Sequence, residues 1–379
     1  MTRSIPLSKP WIDEVEIDRV SRALTGQLSG DGPICRAVEK HLEATLGATR
    51  VLLTTSCTHA LELALLTLGI GPGQEVICPS FTFASTANAI LRVGARPVFA
   101  DIEPRTLGLD AADVAARITS KTTAMIPVHY GGIAADMDGL CALAQRHNLK
   151  MIEDGAHGLG GALQGRALGT LGDAGCFSFH ETKNVTCGEG GALVLMNRDL
   201  GAKAEIIREK GTNRGAFLRG EVDRYSWVAE GSSYILPEPL AAILQVQLEK
   251  FPEIQRRRAA VCERYRDGLS DWARDSDVAM PPVLPERASS HHIFYLLYPD
   301  IGQRDRALIN LRGAGIQASF HYVPLHSAPH ARAIGASSAV LPVTDSVSSR
   351  LLRLPLHPLM SVEDIEHVVE HVRCPSTRA

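Results

Sequence analysis

Two ionisable side chains sit in apolar runs of this sequence, and both could do chemistry there. Lys183 lies between AGCFSF (174–179), a small, apolar and aromatic run that reads as a buried strand end, and GALVLM (191–196), a second buried-strand pattern. The neighbouring lysines in sequence are as distant as Lys150 and Lys203. A loop hemmed in by apolar strands gives an amine little water. Burial disfavours the ammonium, lowers its pKa and leaves a neutral amine able to attack an aldehyde. A solvated turn lysine is the plain alternative; the closing Gly188-Glu189-Gly190-Gly191 and the flanking strands favour the desolvated Schiff-base reading. The second residue is Asp154, at the end of the apolar run LKMIED (149–154), where a carboxylate is costly unless it meets a cation. Its alternative is an ordinary helix N-cap.

Other candidates lie where strands end. Val51 to Thr54 read as a strand end and Ala60 to Leu68 as an apolar helix, so Thr55-Ser56-Cys57-Thr58 falls at a helix N-terminus. Free N–H groups and the helix dipole make that an anion site, although Ser and Thr also cap helices without any ligand. Phe81-Thr82-Phe83 follows EVICPS, where an aromatic ring is either core or a platform for a planar ligand. His129 and Tyr130 follow TAMIPV and suit substrate contact or loop packing equally. Lys210, Asn213 and Arg214 could reach a diphosphate or lie on a solvated loop, and His321 and His326 are either ligand groups or satisfied loop histidines.

The elements that must hold these residues alternate. EVICPS, RPVFADI, TAMIPVH and LKMIEDG read as strands, with helices from about 82, near 110–117 and over 137–147 between them. That alternation argues an α/β domain with a largely parallel sheet, whose active sites lie beyond the strands' carboxyl ends. Helical spacing also covers 13–24, 35–46, 200–210 and the long run 240–269, on which Arg256-Arg257-Arg258 reads as a solvated face. Pro281 to Pro285 reads as a hinge, after which HHIFYLLYP, IQASFHYVPLH and LLRLPL look strand-like. QRDRALINLRGAG and SVEDIEHVVEHVR look helical, the second opened by a Ser-x-x-Asp cap, and CPSTRA (374–379) should fray.

At 379 residues the chain suggests a large domain plus a smaller one. A net charge of -3 without a long basic run argues against nucleic acid. No apolar run is long enough for a bilayer, and MTRSIPLSKPWIDEVE lacks the apolar core of a signal peptide. Eight cysteines without a Cys-x-x-Cys pair read as reduced thiols of a cytoplasmic enzyme, with no metal site.

SFHETKN followed by GEGG resembles the cofactor-lysine segment of the DegT/DnrJ/EryC1/StrS family of sugar-nucleotide aminotransferases, and similar blocks run in fixed order from about Pro6 to Pro355. The resemblance implies a fold type I, pyridoxal-phosphate (PLP) dependent transferase. Its large, mostly parallel α/β domain would cover residues 1–250 and its small C-terminal α/β domain residues 251–379. It further implies a cytoplasmic homodimer with shared active sites, in a cell-surface polysaccharide pathway. Lys183 would bind PLP and act as base and acid. Asp154, in Glu153-Asp154-Gly155-Ala156-His157 where the family has Glu-Asp-Ala-Ala-Gln, would keep the pyridine nitrogen protonated. Phe83 would stack on the ring. Cys57, Thr58 and Ser178 would hold the phosphate, with Ser233 from the neighbouring subunit, where many members have Asn. His157 replaces the family's Gln near the ring's phenolic oxygen, with a charge expected to vary with pH. His129 and Tyr130 would lie on the substrate side, Arg214 and His326 near the nucleotide diphosphate, and the His321–His326 loop over the sugar. The implied reaction moves an amino group from L-glutamate to dTDP-4-dehydro-6-deoxyglucose, giving dTDP-4-amino-4,6-dideoxygalactose. Alternatives are a transaminase for another keto-sugar nucleotide, a sugar 3-dehydratase, or a non-catalytic nucleotide-sugar binder. The dehydratases have His at the lysine position, and a non-catalytic relative should have lost Lys183 or Asp154.

Overall fold

Seven strands form the main sheet: β1 (Arg50–Thr54), β2 (Glu75–Pro79), β3 (Arg96–Ala100), β4 (Thr122–Met125), β5 (Lys150–Asp154), β6 (Ala174–Ser178) and β7 (Gly191–Leu195). Their order is β1-β7-β6-β5-β4-β2-β3 in the computed structural model, which describes residues 4–337 and 339–374. Only β7 runs antiparallel to its neighbours. The strands are buried on both faces, so they read as near-continuous apolar runs. Side chains alternate across the pleat. Leu52, Cys176 and Leu193 face one layer, with helix Cys57–Thr67, while Val51, Leu53, Phe177 and Val194 face the other, with Pro33–Leu46 and Glu238–Glu249. Helices Ala84–Arg92, Ala111–Arg117 and Met137–His147 are the parallel crossovers. Their strands all end on one edge, where the loops after β1, β2, β4, β5 and β6 collect.

A second, two-stranded sheet pairs β8 (Phe294–Leu297) with β9 (Leu351–Leu354). Phe294, Leu296, Leu352 and Leu354 pack onto helices Phe251–Asp275 and Val362–Arg373. Ile5 joins this core by bridging Ile316. The opposite face, with Tyr295 and Leu351, meets Phe81 and Tyr130 from the main sheet's loops. Arg353 lies on that face too, paired in register with Tyr295.

Three expectations change. The helical run 240–269 is two helices, Glu238–Glu249 and Phe251–Asp275, because Pro252 cannot donate into the preceding turn and starts a new helix instead. IQASFHYVPLH (316–326) is not a strand: it makes single bridges at Ile316 and Ser319, and the next residues turn away as Leu325 donates to the Ser80 carbonyl. Arg258 is not solvated. Arg256 and Arg257 pair with Glu253, whereas Arg258, on the inner face of the helix, is buried and donates to the carbonyls of His291 (3.0 Å) and His292 (2.8 Å). Residues 375–379 of the expected frayed end lie outside the described residues. Among the described residues no helix is long and apolar enough to cross a membrane.

Candidate active site

Lys183 stands in the loop between β6 and β7, partly buried, and its Nζ has no hydrogen-bond or ion-pair partner among the described residues. Loss of water is the largest influence on the amine and brings its pKa down to about 8, against the pull of Cys57 and Asp154; Arg353 lowers it further. The next residue fixes the loop. Asn184 donates to the Ser290 carbonyl (2.7 Å) and to Gln255 (2.9 Å) and accepts from His292 Nδ1 (2.8 Å).

The Glu153-Asp154 pair splits across the pleat at the end of β5. Glu153 is fully buried and accepts from His129 Nε2 (2.8 Å) and from the N–H groups of Gly169, Leu171 and Gly172. Asp154 faces the lysine side. Its Oδ2 accepts from Thr86 Oγ1 (2.8 Å) and its Oδ1 from the Ala156 N–H (3.1 Å), and it has no cation within ion-pair distance among the described residues. Burial raises its pKa, more than those two hydrogen bonds lower it. This is the carboxyl that a protonated ring nitrogen would complete. His129 corrects the sequence expectation: it is completely buried, donates to Glu153 and accepts from the Ala135 N–H (3.2 Å). Neither ring nitrogen is left for a substrate.

At the N-terminus of helix Cys57–Thr67, Ser56 caps His59, while the N–H groups of Cys57 and Thr58 have no acceptor among the described residues. Thr58 Oγ1 donates to Ser85 (2.8 Å). The β7 backbone crosses immediately above: a Cβ on Gly191 would collide with the Ser56 carbonyl carbon and the Cys57 nitrogen. That approach explains the last glycine of GEGG. Phe83, at the N-cap of helix Ala84–Arg92, is 64% exposed, whereas Phe81 is buried against Tyr130 and Tyr322. Ser178 ends β6 and accepts from the His180 N–H (3.4 Å).

His157 departs from its expectation as well. Its Nδ1 accepts from the Gly131 N–H (3.3 Å) and its ring stacks on His292, with centroids 4.3 Å apart. Burial holds its pKa well below the usual histidine range, and the positive charges of Lys183 and Arg353 add to this. The ring is therefore neutral, with the proton on Nε2, and its charge does not vary over physiological pH. Beside it, His321 accepts from Arg353 Nη1 at Nε2 (2.6 Å) and donates from Nδ1 to Tyr130 Oη (3.2 Å). Burial and Arg353 bring His321 down to about 2. Tyr322 stacks on His321 at 3.9 Å.

Other candidates lie elsewhere. His326 is buried and committed to Ser80 Oγ (2.8 Å) and Asp345 (3.4 Å), so it tethers the 321–326 loop instead of presenting a free donor. Arg214 begins a short helix, half exposed, 3.8 Å from Glu209, which also meets Lys210 (3.3 Å). Ser233 is exposed and bridges Glu209; the next residue, Tyr234, accepts from the Thr55 N–H. Sequence reasoning missed Arg353, Thr86, His292 and Asn184. A lone arginine inside LLRLPL and the asparagine that closes SFHETKN were the available signals; Thr86 and His292 carry none in the sequence.

These groups suit PLP: an unpartnered amine near neutrality, a buried carboxyl without a cation, and paired free N–H groups above which no side chain fits. A family model described as the DegT/DnrJ/EryC1/StrS aminotransferase family matches residues 10–373. The chain is 35% identical over 378 residues to the spore coat polysaccharide biosynthesis protein SpsC of Bacillus subtilis (strain 168), covering 97% of this chain and 96% of that one. Its fold matches the aminotransferase TlmJ from Streptoalloteichus hindustanus with a TM-score of 0.89 at 33% identity, over 97% of this chain and 98% of that chain. It matches a protein described as a sugar aminotransferase, Spr1654 from Streptococcus pneumoniae in its PLP-form, with a TM-score of 0.89 at 27% identity, over 98% of each chain.

Proposed function

Because the chain belongs to the DegT/DnrJ/EryC1/StrS aminotransferase family and is a PLP-dependent sugar aminotransferase, we propose that it moves an amino group from L-glutamate to a nucleotide-linked 4-keto-6-deoxy sugar. The specific acceptor is dTDP-4-dehydro-6-deoxyglucose and the product dTDP-4-amino-4,6-dideoxygalactose. The observation that supports amino transfer most is the free Lys183 amine, near neutrality and set among Asp154, Cys57 and Arg353. The polysaccharide role in the name of SpsC supports a sugar acceptor.

PLP supplies an aldehyde that takes up the amino group and a ring that accepts electrons from the reacting carbon. The chain's residues do the rest. Lys183 would hold the cofactor through its aldehyde and, once displaced from it by the incoming amine, would serve as the base and acid that moves the proton between the two carbons flanking the transferred nitrogen. Asp154 holds the proton on the ring nitrogen. The Cys57 and Thr58 N–H groups, with the Thr58 and Ser178 hydroxyls, bind the phosphate. Phe83 would lie against the ring, and His157 would offer it the Nε2–H. Tyr130, His321 and Tyr322 line the substrate side.

The working form we propose is a homodimer with shared sites, in which Ser233 serves the partner's phosphate. Exposed Leu218, Tyr225, Trp227 and Val228 on the segment leading to Ser233 support this, since one loop rarely leaves so much apolar surface uncovered.

The test is product analysis. Glutamate and dTDP-4-dehydro-6-deoxyglucose should give an amine at C4 with galacto couplings in the proton spectrum. Lys183→Ala should abolish turnover, and borohydride should no longer add a pyridoxyl mass to that peptide. An amine at C3 or a gluco product refutes the acceptor reading; a Lys183→Ala enzyme with wild-type rate refutes the site.

A further inference from the structure

The last helix carries a cluster that amino transfer does not use. Ile365, Val368 and Val372 bury one face of helix Val362–Arg373 in the C-terminal core, on the side of the two-stranded sheet opposite Phe81 and Tyr130. His367, Glu370 and His371 stand at i, i+3 and i+4 on the same helix, so a single turn brings their side chains together. One nitrogen or carboxylate oxygen from each lies within 4.8 Å of the others. The two imidazole centroids are 4.2 Å apart. Both rings are half-buried and Glu370 is exposed.

Hydrogen bonds select the tautomers. His367 Nε2 lies 3.3 Å from the Ala314 carbonyl, just beyond helix Ile301–Gly313, and His371 Nδ1 lies 2.8 Å from the His367 carbonyl. A carbonyl only accepts, so these two nitrogens carry protons. In the neutral rings His367 Nδ1 and His371 Nε2 are then bare, and among the described residues no hydrogen bond takes either. Metal-binding histidines are oriented in this way, with one nitrogen donating to a carbonyl and the other open. Glu370 makes no ion pair among the described residues, so its carboxylate is available beside them.

We propose that His367, Glu370 and His371 bind a divalent first-row transition ion of the Zn²⁺ class, with water in the remaining positions. Two imidazoles and one carboxylate suit such ions, whereas Mg²⁺ and Ca²⁺ take oxygen ligands. Histidines one turn apart on a helix are a known zinc-binding spacing. Ligands about 2.0–2.2 Å from a tetrahedral ion stand roughly 3–3.5 Å from one another, so rotation of the exposed Glu370 and small shifts of the rings close the site. The expectation of no metal site came from cysteine spacing and does not bear on this helix. The ion sits apart from Lys183 and bridges two successive turns, so it stabilises the folded chain without entering the reaction.

The experiment titrates tag-free, PLP-loaded enzyme with Zn²⁺ by calorimetry in the presence of millimolar Mg²⁺. One Zn²⁺ should bind per chain and raise the Tm. His367→Gln and His371→Gln should each weaken binding at least about tenfold and remove the Tm rise, and Glu370→Gln should weaken it less. All three variants should keep the metal-free Tm and the PLP absorption, which separates a lost ligand from a lost fold. X-ray absorption at the zinc edge should show nitrogen and oxygen at about 2.0–2.2 Å. Absence of binding to the wild type, or unchanged binding in both histidine variants, overturns the proposal. So does a sulfur shell near about 2.3 Å that vanishes in Cys374→Ser, because the ion would then sit on the exposed thiol that follows the helix.

Discussion

Lys183 offers the sharpest quantitative test, because its chemistry depends on a neutral amine. A lysine at the ordinary 10.5 is about one part in a thousand neutral at pH 7.5, whereas one near 8 is about a quarter neutral, a gain of about 200-fold. The cause is desolvation in the loop between β6 and β7, so the shift belongs to the folded apoprotein and needs no cofactor. Acetic anhydride reacts only with the free amine. Trace acetylation of apoprotein between pH about 6 and 11, with a lysine amide as internal standard and mass spectrometry of the Lys183 peptide, gives its titration curve directly. The midpoint should fall near 8 and move to the standard's value on unfolding. Arg353→Gln should raise it, since that charge opposes the ammonium, and Asp154→Asn should lower it. A folded-state midpoint that matches the standard would show that the loop leaves the amine hydrated and refute the reasoning.

Three further outcomes follow from the buried groups. His157→Gln should leave the pH profile of the glutamate half-reaction unchanged between about pH 5.5 and 7.5, because burial keeps the ring neutral throughout; a limb near pH 6.5 that vanishes in the variant would contradict this. Asp154 has its pKa raised by folding, so the folded apoprotein retains a proton that the unfolded chain releases, and stability falls as pH rises above the ordinary carboxylate range. Asp154→Asn should therefore raise the apoprotein Tm relative to wild type at neutral pH and much less near pH 4, by calorimetry; a gap that does not grow with pH would count against it. Arg208 is buried between Glu39 (2.7 Å) and Asp31 (2.6 Å), so Arg208→Ala should cost about 3–5 kcal/mol in denaturant unfolding by stranding Glu39. A loss below about 1 kcal/mol would show that water replaces the guanidinium.

Much of the fold was legible from local pattern. Buried parallel strands are apolar runs, crossover helices keep their 3.6 period, and both survive any tertiary arrangement. The Ser361-x-x-Asp364 cap was as readable as the break at Pro252 should have been, since capping and proline geometry are local. Lys183 and Asp154 likewise stand out in one dimension, one in a loop between two apolar strands and the other at the end of one. The partners of each side chain were not. His129 and His326 sit in loops that look open in sequence, yet Glu153 and Ser80, brought from other strands, close over both. The charge of His157 depends on an N–H from Gly131 and a stacked ring from His292, 135 positions further along. Arg258 looked like its two solvated neighbours until the helix turned it inward. Arg353 meets the lysine's surroundings only because the pleat of β9 turns it from the C-terminal core toward the main sheet's loops. Sequence alone marked which ionisable groups stand in or beside apolar runs, and most of the strands and helices that carry them. The tertiary structure decided which are desolvated, which are paired and which remain free, because dielectric surroundings and counter-charges come from residues far apart in the chain.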